Sequence, residues 1–156
     1  MKVIYLWILI FLVGCSSGVL SVVPTSSACP VTIANGSQPL GESSGSLLYH
    51  GNGVIWTALP PDGKLFIVPD EDGSLQIKFP WWRAVHGALT IQGRRLDASA
   101  PPLQAIIPEG YGDSGFQASG LIFPTEGCWE VTGKVADQEL RFVVTVQAVD
   151  EYPATP

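Results

Sequence analysis

The most constraining feature of this sequence is an alternation of apolar and polar residues that repeats across one turn near the C-terminus. Before the turn, every second residue is apolar or small, which gives the set Trp129, Val131, Gly133 and Val135. After the polar tetrapeptide at 136–139, the same period gives Leu140, Phe142, Val144 and Val146. Because successive side chains of a strand point to opposite faces, this pattern predicts a β-hairpin with one buried face. It indicates an all-β class.

Short apolar runs bounded by Gly, Pro and Asp extend this organisation upstream. The predicted strands lie at 54–59, 64–68, 75–79 running on into 80–83, 88–96, 103–107 and 116–123, and residues 29–33 are either a short first strand or a pinned lead-in. No stretch of ten residues shows the 3.6-residue period of a helix. The pattern favours one Ig-like β-sandwich of about seven to nine short antiparallel strands over residues 29–148, and a closed barrel is the alternative.

The N-terminus has the features of an export signal. Lys2 precedes an unbroken apolar run, Val3–Val13, which is shorter than the roughly 20 residues that a helix needs to span a bilayer. The run ends in Leu12-Val13-Gly14-Cys15, which resembles the lipobox of bacterial lipoproteins. We therefore expect a signal peptide over 1–14, diacylglycerol and palmitate on Cys15, and attachment to a bacterial cell membrane. A secreted protein without lipid and a buried N-terminal strand are the alternatives. The Ser-, Gly- and Pro-containing stretch 15–28 then reads as a linker, and 149–156 as a flexible tail.

The number of cysteines agrees with that location. Three cysteines leave one unpaired in an exported protein, and lipid on Cys15 would remove the odd one. An oxidising compartment favours a disulfide between the remaining two, Cys29 and Cys128, although two separate buried thiols are the alternative. Because Cys128 directly precedes the core residue Trp129, it is expected on the outer face or in the preceding turn. Such a bridge would fasten the N-terminal segment to the last hairpin rather than cross the core.

Six segments of the region after the linker carry a family resemblance: 49–53, 56–63, 79–83, 93–98, 107–112 and 120–133, the last containing Gly-Cys-Trp-Glu-Val-Thr-Gly. Together they resemble a family of uncharacterised bacterial lipoproteins with an Ig-like β-sandwich domain. The resemblance covers most of 29–147 and implies the same location and fold. It implies no activity and no site residues.

Charge and composition exclude several classes of function. The formal net charge is −6, and loss of the signal peptide with Lys2 makes it −7, so a nucleic acid partner is not expected. His50 and His86 are the only histidines, and Met1 is the only methionine. A metal site built on the two histidines is therefore a minor alternative, and no cofactor is predicted. The Gly-x-Ser-x-Gly pattern of one hydrolase class occurs only at 41–45, in a predicted loop with no helical pattern after it, so no nucleophile elbow is predicted and the chain is expected to be non-enzymatic. A small cell-envelope hydrolase using His50 or His86 as base is the alternative.

A group of aromatic residues is the candidate binding surface. Trp81 and Trp82 would face opposite sides of a strand, so one is expected in the core and the other exposed beside Arg83. An exposed tryptophan there could stack on a cell-wall glycan or anchor a protein. The alternative is that both tryptophans are buried and close one end of the sandwich. Tyr111 and Phe116 flank a Gly-rich segment that reads as a loop of the same surface.

Overall fold

Nine β-strands form the regular structure of the described residues, 28–42 and 48–152, in a computed structural model. They are β1 (Leu48–Gly51), β2 (Ile55–Leu59), β3 (Lys64–Ile67), β4 (Leu75–Arg83), β5 (Leu89–Arg95), β6 (Gln104–Ile106), β7 (Gly115–Phe123), β8 (Gly127–Val135) and β9 (Gln138–Ala148). No helix occurs in those two ranges, so none there could cross a membrane. The predicted signal peptide, Cys15, residues 16–27 of the linker and residues 153–156 of the tail lie outside the described residues.

The strands form two sheets, which confirms the predicted all-β sandwich. One sheet has the order β1-β2-β4-β7-β6, and the other has the order β3-β9-β8-β5. The sets β4-β7-β6 and β5-β8-β9 correspond to strands B-E-D and C-F-G of an immunoglobulin domain. Strands β2 and β3 then take the place of the first strand, divided between the two sheets. The arrangement is Ig-like.

The predicted hairpin supplies much of the core. The alternating residues of β8 and β9, from Trp129 to Val146, are buried against the facing sheet, where Trp81, Leu121 and Phe123 are fully enclosed. Strand β9 begins at Gln138, earlier than expected, because the turn contains only Ala136 and Asp137. Ala136 has a φ of 51°, the left-handed conformation that tight hairpin turns require.

The prediction that all strands are antiparallel is wrong for one pair. Strand β3 runs parallel to β9, with Lys64 opposite Thr145 and Ile67 opposite Ala148. The chain leaves β2 in the five-stranded sheet, turns at 60–63 and enters the edge of the other sheet in the direction of its last strand. This change of sheet determines the parallel pairing, and no local sequence pattern reports it.

The segment 29–33 is a pinned lead-in and not a strand. The N–H of Thr32 donates to the carbonyl of Val143 at 2.8 Å, and the N–H of Val143 donates to Thr32 Oγ1 at 2.9 Å. Its cysteine forms the predicted disulfide, Cys29–Cys128. Cys128 belongs to the outward set of β8, as expected, yet it is buried because the N-terminal segment covers it. The bridge therefore fastens this segment to the final hairpin.

Candidate functional site

Three aromatic side chains lie side by side across the outer face of the five-stranded sheet. Trp56 of β2 is opposite Trp82 of β4, and Trp82 is opposite Phe116 of β7. Two tyrosines join these rings by edge-to-face contacts, one at the central ring and one at the Phe116 end. Tyr49 lies 5.1 Å from Trp82 between ring centroids, and Tyr111 lies 5.9 Å from Phe116. We call these five residues the aromatic row.

The arrangement depends on a glycine in the neighbouring strand. Gly51 of β1 pairs with Trp56, and a Cβ atom at Gly51 would overlap the indole ring. The missing side chain therefore leaves room for the Trp56 ring to lie flat along the sheet.

One segment of the N-terminal region, residues 35–42, lies against the aromatic row, and we call it the strap. Asn35 holds its first end by exchanging two hydrogen bonds with the backbone of Gly51, at 2.8 and 3.1 Å. Farther along, the indole Nε1 of Trp56 donates to Ser37 Oγ at 3.0 Å, and that of Trp82 donates to Glu42 Oε1 at 3.2 Å. The strap therefore uses both indole donors of the row.

Glu42 also affects Tyr49, the tyrosine that packs on Trp82. Burial raises the pKa of the Tyr49 phenol, and the nearby Glu42 carboxylate raises it further. Tyr49 therefore stays protonated and can donate its hydroxyl hydrogen to the carboxylate. Glu42 at the end of the strap therefore lies close to both Tyr49 and the indole of Trp82.

A cleft of about 520 Å³ opens between the strap and the aromatic row. Its walls are formed by Pro39 and Leu40 of the strap on one side and by Trp82 and Phe116 on the other, and Arg83 lies at one end. Leu40 is 99% exposed, while Phe116 and Tyr111 are 46% and 40% exposed. Large apolar side chains therefore gather around a concave site that is open to solvent.

The structure separates the two adjacent tryptophans and exposes neither. Trp81 points into the core and is completely buried, and Trp82 lies on the outer face but is only 7% exposed. The expectation that one of the pair is exposed is therefore wrong. Tyr49, Trp56 and the strap cover the outer indole, which leaves Phe116 and Tyr111 as the accessible aromatics of the row.

Arg83 is buried and ties two loops together at the end of the cleft. Its guanidinium donates to the carbonyl of Gly87 at 2.9 Å and to that of Gly112 at 2.6 Å. The side chain is 4% exposed, and its Nε has no hydrogen-bond partner among the described residues. Arg83 therefore acts as a positioning residue that fixes the loop carrying Tyr111.

His86 and Asp113 form a pair on the same two loops. His86 Nδ1 lies 3.0 Å from Asp113 Oδ2, and the other carboxylate oxygen accepts the N–H of Gly87 at 3.0 Å. Both side chains are largely exposed. A carboxylate on Nδ1 orients an imidazole as in hydrolytic triads. However, no serine, threonine or cysteine within the described ranges bonds to its Nε2.

His50 lies apart from this pair, on the inward face of β1. Burial lowers its pKa and outweighs the carbonyls of Ile33 and Arg141, which favour the protonated ring. Its Nδ1 is buried without a hydrogen-bond partner among the described residues. The two histidines are therefore in different settings, and neither belongs to a group of three or more metal-ligating side chains within 28–42 and 48–152.

The neutral state of His50 gives a pH prediction. Because the folded pKa lies below the unfolded value, the unfolded state binds more protons in acid, and folding stability should fall as the pH decreases below about 6.5. Replacing His50 with Gln should flatten the stability profile between about pH 7 and pH 5. Denaturant unfolding at a series of pH values measures this. Equal slopes for both proteins would contradict it, and His86→Gln serves as the exposed control.

A second cleft, of about 540 Å³, lies on the outer face of the four-stranded sheet. Its charges are already paired: Arg94 contacts Glu130 at 2.9 Å, and Arg141 contacts Glu139 at 2.7 Å. A ligand there would have to replace ion pairs that the fold already makes. The aromatic cleft has exposed apolar side chains instead, so it is the stronger candidate.

The sequence predicted four of the residues that line or support the aromatic cleft: Trp82, Arg83, Tyr111 and Phe116. It missed the strap and Trp56, since 35–42 reads as a loop and Trp56 as an ordinary strand residue. Comparison with protein-family models gives no match, and a search of curated proteins finds no significant match.

Proposed function

We propose that this chain is a lipid-anchored, extracytoplasmic β-sandwich module that binds a cell-envelope partner at the aromatic cleft and is not an enzyme. The observation that carries the proposal is the pair of exposed apolar side chains that line the cleft, Leu40 and Phe116, with the exposed Tyr111 next to Phe116. A few residues, often aromatic, supply most of the binding energy in protein recognition. Arg83 fixes the loop that carries Tyr111 from inside.

Two observations support the location. The sequence Leu12-Val13-Gly14-Cys15 follows an apolar run, as in lipoproteins that receive a diacylglycerol on the cysteine. The Cys29–Cys128 disulfide fits an oxidising compartment outside the cytoplasm. Stable anchoring needs more than one acyl chain, which a triacylated or diacylated cysteine provides.

The anchor is tested by replacing Cys15 with serine. The variant should accumulate as uncleaved precursor and should incorporate no labelled palmitate, because serine lacks the thiol that accepts the lipid. Metabolic labelling followed by immunoprecipitation measures both effects. Cys29→Ser provides the control, since it should keep its label. Label retained by the Cys15→Ser protein would refute lipidation at that residue.

The binding site is tested by replacing Leu40 and Phe116 with serine. Both side chains are exposed, so the domain should keep its unfolding free energy to within about 1 kcal/mol, while loss of two anchors should weaken partner binding by tenfold or more, about 1.4 kcal/mol or above. The control is Ile106→Ser, which changes an equally exposed apolar residue outside the cleft. Full-length protein is immobilised, and retention of components from a solubilised envelope fraction is compared among the three proteins. Equal retention by all three would refute the proposal.

The hydrolase alternative rests on the His86–Asp113 pair. It would require a nucleophile or an activated water at Nε2 of His86. The His50→Gln/His86→Gln double variant separates the two functions, because a binding module should retain its partner as the wild type does. Loss of an envelope phenotype in that variant, with partner retention unchanged, would favour catalysis.

A further inference from the structure

The strap shows what kind of chain the aromatic row accepts. Pro39 is buried and lies between Ser37 and Glu42, the two residues that accept the indole hydrogen bonds of the row. Proline fixes its own φ near −65° and disfavours the helical conformation of the residue before it. One half of the row is therefore occupied by a non-helical, proline-bearing segment with oxygen acceptors on both sides.

The other half of the row, Phe116 and Tyr111, is not covered by the strap. Phe116 contacts Trp82 at 5.3 Å between ring centroids, and Tyr111 extends the row beyond Phe116. These two rings are half-exposed, and Phe116 lines the cleft together with Leu40 of the strap. The row therefore offers a second, exposed aromatic surface beside the part that the strap covers.

We infer that the open half of the cleft binds an extended, proline-containing segment of a partner protein, an inference that rests on the proposed function. Aromatic-lined grooves recognise such segments because a polyproline II helix is already ordered and presents flat apolar rings. Pro39 and Leu40 of the strap would form one wall and Phe116 the other, with Tyr111 beyond it. Among the described residues, Glu42 and Arg83 are the only charged ones that line the cleft, which suits a largely uncharged segment.

A glycan fits these contacts less well. Stacking on a sugar requires an accessible aromatic face, and polar donors must be free to bind hydroxyl groups. Trp56 and Trp82 are more than nine-tenths buried, and both indole donors are bonded to the strap. The accessible chemistry is therefore that of Phe116, Tyr111 and Leu40, which favours apolar rings over hydroxylated ones.

The test uses purified full-length lipoprotein in detergent and acetylated, amidated octaproline as the probe. Tryptophan fluorescence or calorimetry should show saturable binding of octaproline and none of a Gly-Ser peptide of equal length. Phe116→Ala should weaken that binding by about tenfold or more, and Ile106→Ala should leave it unchanged.

Three results would overturn the inference: no saturable binding of octaproline, binding that Phe116→Ala does not weaken, or binding of a chitin or peptidoglycan oligosaccharide instead. The capture experiment with Leu40→Ser/Phe116→Ser keeps the two proposals distinct. If capture depends on those residues while octaproline does not bind, the binding function stands and only the proline preference fails.

Discussion

Replacing Trp81 with alanine is expected to lower the free energy of unfolding by about 3–5 kcal/mol, as for other buried Trp→Ala changes. Trp81 is completely buried, and its ring contacts Phe79 and Phe142 with centroid distances of 5.8 Å each. Its Nε1 also donates to Ser119 Oγ at 3.1 Å, so the change leaves a cavity and removes the hydrogen bond that this hydroxyl accepts. Urea unfolding monitored by circular dichroism measures the loss. A loss below about 1 kcal/mol would contradict this packing.

Gly133 gives a reciprocal test of the same contact. A Cβ atom at Gly133 would overlap the Trp81 ring, so Gly133→Ala should destabilise the domain by about 1–3 kcal/mol. The cost should shrink in the Trp81→Ala background, where the overlapping ring is gone. Gly120→Ala is the matched control, because its added Cβ would lie 3.5 Å from Ile106 in ordinary contact. Additive effects of the Trp81 and Gly133 changes would mean that the two residues do not touch.

Removing the disulfide by the Cys29→Ala/Cys128→Ala double change is the other prediction with a large effect. The bridge joins residues 99 apart, and closing a loop of that length contributes about 4–5 kcal/mol in the chain-entropy account. The strands should persist under native conditions, because the bridge lies on the outer face and not between the sheets. Denaturant unfolding gives the free energy, and far-ultraviolet circular dichroism gives the strand content. Reduction of the wild type should reproduce the loss, and an unchanged unfolding midpoint would refute it.

The fold was predictable where burial follows the period of a strand. Trp129, Val131 and Phe142 lie in the core as the alternation required, and Cys128 belongs to the opposite face. The parallel pairing of β3 with β9 was not predictable, because it depends on where the chain changes sheets. The burial of Cys128 also escaped prediction, since a separate segment covers it.

The candidate site shows a similar division. Opposite faces for Trp81 and Trp82 followed from strand geometry, but the cover over Trp82 comes from the strap, which has no periodic pattern. The His86–Asp113 pair joins residues 27 apart in two loops, so only the fold brings them together. Side chains on regular strands were therefore easier to place than contacts made by loops.

The most direct test of the aromatic cleft is site-specific photo-crosslinking in the living cell with the full-length chain. A photoreactive amino acid is placed at Leu40, which borders the cleft, and at Ile106, which is exposed outside it. The account predicts a discrete crosslinked product from position 40 that disappears with Phe116→Ser, and no such product from position 106. The same product from both positions, or one from position 40 that survives Phe116→Ser, would contradict the assignment of binding to this cleft.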